Sequence, residues 1–107
     1  MTGADPRPVF AALGDPTRCA LIARLAYGPA TAGQLAELAD MSRPGVSQHL
    51  RVLRDAAIVR TSREGRFHWY ELDGNRLVEA EAWLRRLTDR WASSPPRRAA
   101  GREVEPA

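Results

Sequence analysis

Gln48 and Arg51, three residues apart, carry an amide and a guanidinium, the side-chain groups whose paired donors and acceptors match the edges of adenine and guanine in a major groove. They stand in Ser42-Arg43-Pro44-Gly45-Val46-Ser47-Gln48-His49-Leu50-Arg51-Val52-Leu53-Arg54. Placed at 100° steps on a helix, Val46, Leu50 and Leu53 fall on one side and mark the buried face. Gln48 then points the opposite way, flanked by Pro44 and Arg51, with Ser47, Gly45 and Val52 on the shoulders. Arg43 and His49 sit nearer the buried edge. Gly45 costs about 1 kcal/mol relative to Ala inside a helix, and its missing side chain would let the backbone approach a nucleic acid closely. The bland alternative is an amphipathic helix with a solvated polar face. The elements on either side favour base reading.

Other chemistry is thinly supplied. Ser42, Ser47, His49 and His68 form no nucleophile–base–acid set, and no glycine-rich phosphate loop is present, so catalysis is not expected. The last amphipathic segment has Glu79, Glu81 and Asp89 but no His, and carboxylates alone hold transition metals poorly. No metal site or cofactor is expected. Cys19, the only cysteine, reads as a small hydrophobe near an interface, with a redox switch as the alternative. One thiol excludes an intramolecular disulfide framework and suits a reducing cytoplasm.

The elements that must position these residues are marked by strong punctuation. Asp5-Pro6 and Asp15-Pro16 each open a helix, the first carrying Val9, Phe10 and Leu13, the second Leu21, Ile22 and Leu25. Gly14 stops the first, and Gly28-Pro29 stops the second near Tyr27. Ala30-Thr31-Ala32 is long enough only for a bridging strand. Gly33 to Ala39 is expected to be a helix burying Leu35 and Leu38. Asp40-Met41 makes a turn, in which Asp tolerates left-handed geometry, and Ser42 caps the next helix through about Ala56. Ile58 to Arg63 and Arg66 to Leu72 are strand-prone runs around Glu64-Gly65, a tight hairpin. After Asp73-Gly74, a final amphipathic helix runs from about Asn75 to Trp91. The expected class is mainly α with a small β-hairpin, in the order α-α-(β)-α-α-β-β-α: a winged helix-turn-helix.

Length and charge agree with one small domain. The 107 residues carry a formal net charge of +3, all 16 basic residues being Arg. Residues 41–70 hold six Arg against two acids, a net of +4, whereas residues 1–40 and 71–91 are each −1. The positive charge therefore lies on the polar helix and the hairpin. Arg63 and Arg66 flank the hairpin tip, with Arg60 farther back, and suit phosphate or minor-groove contact. Phe67, Trp69 and Tyr70 are expected on opposite strand faces, packing in a core or dimer rather than forming one stacking platform. Residues 1–5 are expected to be flexible, 6–92 to form the domain, and 93–107, with Ser93-Ser94-Pro95-Pro96, to be a disordered tail. No apolar run suits a membrane span and the amino terminus lacks a signal-peptide pattern, so a cytoplasmic setting is expected.

Three motifs in order, Ala12-Leu13-Gly14-Asp15-Pro16-Thr17-Arg18, the 42–50 segment with Leu53, and Glu64-Gly65-Arg66 before Tyr70 and Leu72, make the chain from Val9 to about Leu87 resemble the ArsR-type (ArsR/SmtB) winged-helix repressors. The resemblance implies a homodimeric transcriptional repressor bound to an imperfect palindrome in double-stranded DNA, with 42–54 as recognition helix. The contacts would come from Ser42, Arg43, Pro44, Gly45, Ser47, Gln48, His49 and Arg51, joined by Arg63 and Arg66. It also implies a dimer through the first and last helices, with Val9, Phe10 and Leu13 meeting Leu77, Ala80, Trp83, Leu84, Leu87 and Trp91. The 3-and-4 spacing of Leu77, Ala80, Leu84, Leu87 and Trp91 independently suits a helix–helix seam. The cysteine pair or His-carboxylate cluster with which many relatives bind metal has no counterpart, so a metal-independent member is expected, with its effector unassigned. A winged-helix module that binds an acidic protein through the basic hairpin is the competing reading.

Overall fold

A computed structural model describes residues 5–94; the tail from 95 onward and residues 1–4, with the order expected of them, lie outside the described residues. The elements are α1 (Arg7–Ala12), α2 (Pro16–Leu25), β1 (Ala30–Thr31), α3 (Ala32–Ala39), α4 (Arg43–Asp55), β2 (Val59–Glu64), β3 (Phe67–Leu72) and α5 (Asn75–Ala92). The three strands form one antiparallel sheet in the order β1-β3-β2. This is the mainly helical winged helix-turn-helix expected from the punctuation.

Each helix start has a local cause. Asp15 caps α2, its carboxylate accepting from the Arg18 N–H at 3.0 Å. Thr31 and Gln34 close a reciprocal capping box on α3, so that helix starts before Gly33. Ser42 caps α4 by accepting from the Gly45 N–H at 3.1 Å. These bonds satisfy amide donors that a helix cannot pair internally. At α1 the capping expectation changes: the N-cap is Pro6, and Asp5 instead grips Arg7 through its backbone and guanidinium.

The turn between α3 and α4 and the exit from α4 share one geometry. Asp40 (φ 55°, ψ 49°) is left-handed, with Met41 N–H donating to the Ala36 carbonyl and Asp40 N–H to Glu37. After α4, Ala57 takes φ 61°, Ile58 N–H reaches the Leu53 carbonyl and Ala57 N–H reaches Arg54. Both are Schellman closures, a position that favours glycine. A left-handed alanine costs about 1–2 kcal/mol. Ala57→Gly is therefore expected to stabilise the fold by about 1 kcal/mol, raising the Tm by about 4–8 °C in a thermal melt.

The core is built where the three central helices meet the sheet. Val46, Leu50 and Leu53 of α4 are buried, together with Leu21 and Leu25 of α2, Leu35 of α3, and Ile58, Val59 and Tyr70. Three expectations are corrected. Leu38 is 52% exposed, because α3 turns the face centred on Leu35, Ala36 and Ala39 inward, and Leu38 lies about 100° from that centre. The α2 helix ends at Leu25, tightening through Tyr27-to-Arg24 and Gly28-to-Leu25 bonds, with Gly28 at φ +146°. The hairpin turns on Gly65-Arg66, not on Glu64-Gly65: Glu64 still pairs with Phe67, and Gly65 at φ +62° takes the first turn position, as a type II′ turn requires.

Candidate nucleic-acid interface

The α4 helix sits between two left-handed closures, so its start, end and roll are fixed by backbone hydrogen bonds and by the buried Val46–Leu50–Leu53 stripe. Burial of that stripe leaves Ser42, Arg43, Pro44, Ser47, Gln48 and Arg51 exposed. A shallow groove runs along this face, lined by Ser47, Gln48, Arg51 and Val52. It combines an amide, a guanidinium, a hydroxyl and the Val52 methyls, and a methyl is the group that meets thymine. Val52 was placed only on the shoulder by the wheel; its 38% exposure beside Gln48 makes it part of the same surface.

Gly45 acquires a further reason. A Cβ there would stand 3.2 Å from Ser42 Oγ, crowding the hydroxyl that caps the helix. Its bareness protects the cap as well as leaving the first turn open.

His49 is placed differently from its neighbours. Its side chain is only 22% exposed; Nδ1 lies 3.3 Å from Arg18 Nη1 and 3.7 Å from Asp15 Oδ2. The ring thus joins α4 to the start of α2. The Asp15 carboxyl is held below the usual carboxylate range, chiefly by the Arg18 backbone N–H it accepts, against the opposing effect of burial.

Charge pairing separates the arginines. Arg60 is tied to Glu71 and Asp73, each at 3.5 Å, so it braces the base of the hairpin. Among the described residues, Arg43, Arg51, Arg54, Arg63 and Arg66 enter no ion pair. All five belong to the 41–70 stretch. The sequence assigns Arg54 no role and offers His68 only as a catalytic group without partners. His68 stands directly across from Arg63 in the sheet register and is exposed; strand alternation counted from the hairpin turn would have found it.

The hairpin aromatics also need correction. Phe67 and Trp69 are two apart, share one face, and approach to 6.5 Å between ring centroids. Only Tyr70 turns the other way, into the core, where it is buried. Phe67 is 55% exposed.

The residues expected between subunits divide into two groups. Val9 and Ala80 are buried inside the chain, because α1 packs on α5 of the same molecule; this corrects their assignment to an outer seam. Phe10, Leu13 and Leu77 are partly buried against the same core, and the Phe10 ring lies 5.6 Å from that of Trp83. Beyond them Val78, Trp83, Leu84, Leu87 and Trp91 remain exposed, Trp91 by 78%. The Cys19 thiol is exposed and donates to the Leu13 carbonyl at 3.1 Å. No helix among the described residues is long and apolar enough to cross a membrane.

Known proteins share this arrangement. A family model described as a helix-turn-helix domain matches residues 13–62. The transcriptional repressor SdpR of Bacillus subtilis is 37% identical over 76 residues, covering 71% of this chain and 84% of that protein. The HTH-type transcriptional regulator Rv2034 of Mycobacterium tuberculosis is 40% identical over 89 residues, covering 78% and 83%. The crystal structure of an ArsR family transcriptional regulator superposes with a TM-score of 0.77 at 34% identity, covering 88% of this chain and all of the other.

Proposed function

Because the chain belongs to the ArsR-type winged helix-turn-helix family of DNA-binding transcriptional regulators, we propose that it acts as a homodimeric repressor reading an imperfect palindrome, with α4 in the major groove and the β2–β3 hairpin on the flanking phosphates. The observation that carries this reading is the coincidence, on α4, of an exposed Ser47–Gln48–Arg51–Val52 groove with a buried stripe that fixes its direction. Gln48 and Arg51 supply base contacts, Ser47 and Val52 fill between them, and Arg43, Arg63 and Arg66 neutralise phosphates.

The dimer is supported by the exposed α5 stripe. Trp83, Leu84, Leu87 and Trp91 present an apolar face larger than scattered surface residues, continuous with Phe10. A second copy related by a dyad would set two recognition helices about 34–36 Å apart, one turn of DNA. The reading assigns no metal to the release of DNA: the described residues bring no group of three or more His, Cys, Asp or Glu side chains together where one could be held. Control of its own promoter follows as a natural first target, and a gel-shift titration with the chain's upstream DNA tests it.

Gln48→Ala is expected to cost about 1–3 kcal/mol on the preferred site and to relax the preference at one base pair of each half-site. Competition titrations with single-base variants of the site measure this. Equal losses on preferred and random duplexes would remove Gln48 from base reading.

A further inference from the structure

Arg18 joins the end of α1, the start of α2 and the recognition helix α4. Its Nε donates to the Ala12 carbonyl at 2.7 Å and its Nη2 to the Ala11 carbonyl at 3.3 Å, closing the end of α1. Its own backbone N–H completes the Asp15 cap of α2. Its Nη1 lies 3.3 Å from His49 Nδ1 on the recognition helix. A guanidinium has five donors and no acceptor and stays protonated. The ring nitrogen facing it must therefore offer a lone pair. In the neutral imidazole the proton is then on Nε2, since the two nitrogens carry one proton between them.

Among the described residues, His49 Nε2 has no hydrogen-bond partner and is not one of the buried polar atoms left unpaired. It is an accessible N–H donor on a side chain otherwise turned inward. The groove around it is lined by Arg18, Met41, Gly45, Gln48 and Val52, which places it beside the base-reading amide. Asp15 and Arg18 are the charged groups that face the ring; Met41, Gly45, Gln48 and Val52 are neutral.

We propose that Arg18 is a positioning residue for DNA binding: it locks His49 in the Nε2–H tautomer and so aims a neutral N–H donor at a backbone phosphate of the bound duplex. The proposal rests on the DNA-binding reading and adds to it a residue that acts through another. A neutral donor to phosphate adds affinity without displacing a counterion, so its loss leaves the salt dependence unchanged.

The experiment uses the full chain and a random-sequence duplex, since a phosphate contact carries no sequence preference. His49→Asn keeps a short polar group near Nδ1 but loses the distal donor, and is expected to weaken binding roughly five- to tenfold with an unchanged salt slope. His49→Gln, which restores a donor near the Nε2 position, is expected to recover most of that loss. Arg18→Gln should weaken binding by a similar factor, and combining it with His49→Asn should add little, because the two act as one unit. Long-range proton–nitrogen correlation spectra of the free protein at neutral pH are expected to show the Nε2–H tautomer. An Nδ1–H tautomer, wild-type affinity in His49→Asn, or additive losses in the double variant would each overturn the proposal while leaving DNA binding intact. Absence of any duplex binding by the wild-type chain would remove the functional reading itself and this proposal with it. If Arg18→Gln does not fold, the two His49 variants and the spectra decide.

Discussion

Leu87→Glu is expected to convert the protein from a dimer to a monomer and to lower its affinity for a two-half-site operator by at least about a hundredfold. Leu87 is 45% exposed within a single chain, so its side chain contributes little to the fold of one copy. In the proposed dimer it lies on the α5 stripe with Trp83, Leu84 and Trp91. A dyad brings the same residue in twice, so each substitution places two carboxylates in one apolar seam. Removing a charge from water without a partner costs several kcal/mol per group, more than a seam of this size can offset. Each monomer would then hold one half-site and lose the gain from linked binding. Sedimentation and titration of a two-half-site duplex read both effects. A dimer that persists with unchanged affinity would move the interface away from α5.

The second large effect concerns the hairpin. Replacing Arg63 and Arg66 together by Ala removes four cations per dimer. Each phosphate contact contributes about 0.9 to the slope of log K against log salt. The slope should therefore become shallower by roughly 3–4, and affinity at low salt should fall on the order of a hundredfold, equally for preferred and random sequences. Arg60→Ala is the internal control. Arg60 is already paired with Glu71 and Asp73, so its loss should leave the slope unchanged. A slope that responds to Arg60 and not to Arg63 and Arg66 would place the contacting charge at the hairpin base.

Much of this architecture was legible because local chemistry writes it out. Ser42 before a Val46–Leu50–Leu53 stripe spells a capped amphipathic helix, and Gly65 between two strand-prone runs spells a hairpin. Thr31 and Gln34 spelled a capping box just as plainly, and reading it would have placed the start of α3 correctly. What stayed hidden depends on contacts between distant residues. The Arg18–His49 contact spans 31 positions, and no pattern along the chain announces it. The apolar periodicity of α5 is real, yet period alone does not distinguish the members that α1 covers from those that face outward. Ala80 fell on the covered side with Leu77 partly so, whereas Leu84, Leu87 and Trp91 did not. Leu38 shows the same limit: in an eight-residue helix a displacement of one position changes which side chain is buried.

Selection of bound duplexes from a random pool tests the central claim most directly. The account predicts enrichment of two inverted half-sites with centres about one helical turn apart. In Gln48→Ala the same spacing should be retained with one position per half-site degenerate. A bound pool without enriched sequence, or with a single unpaired half-site, would contradict a dimer that reads bases through α4.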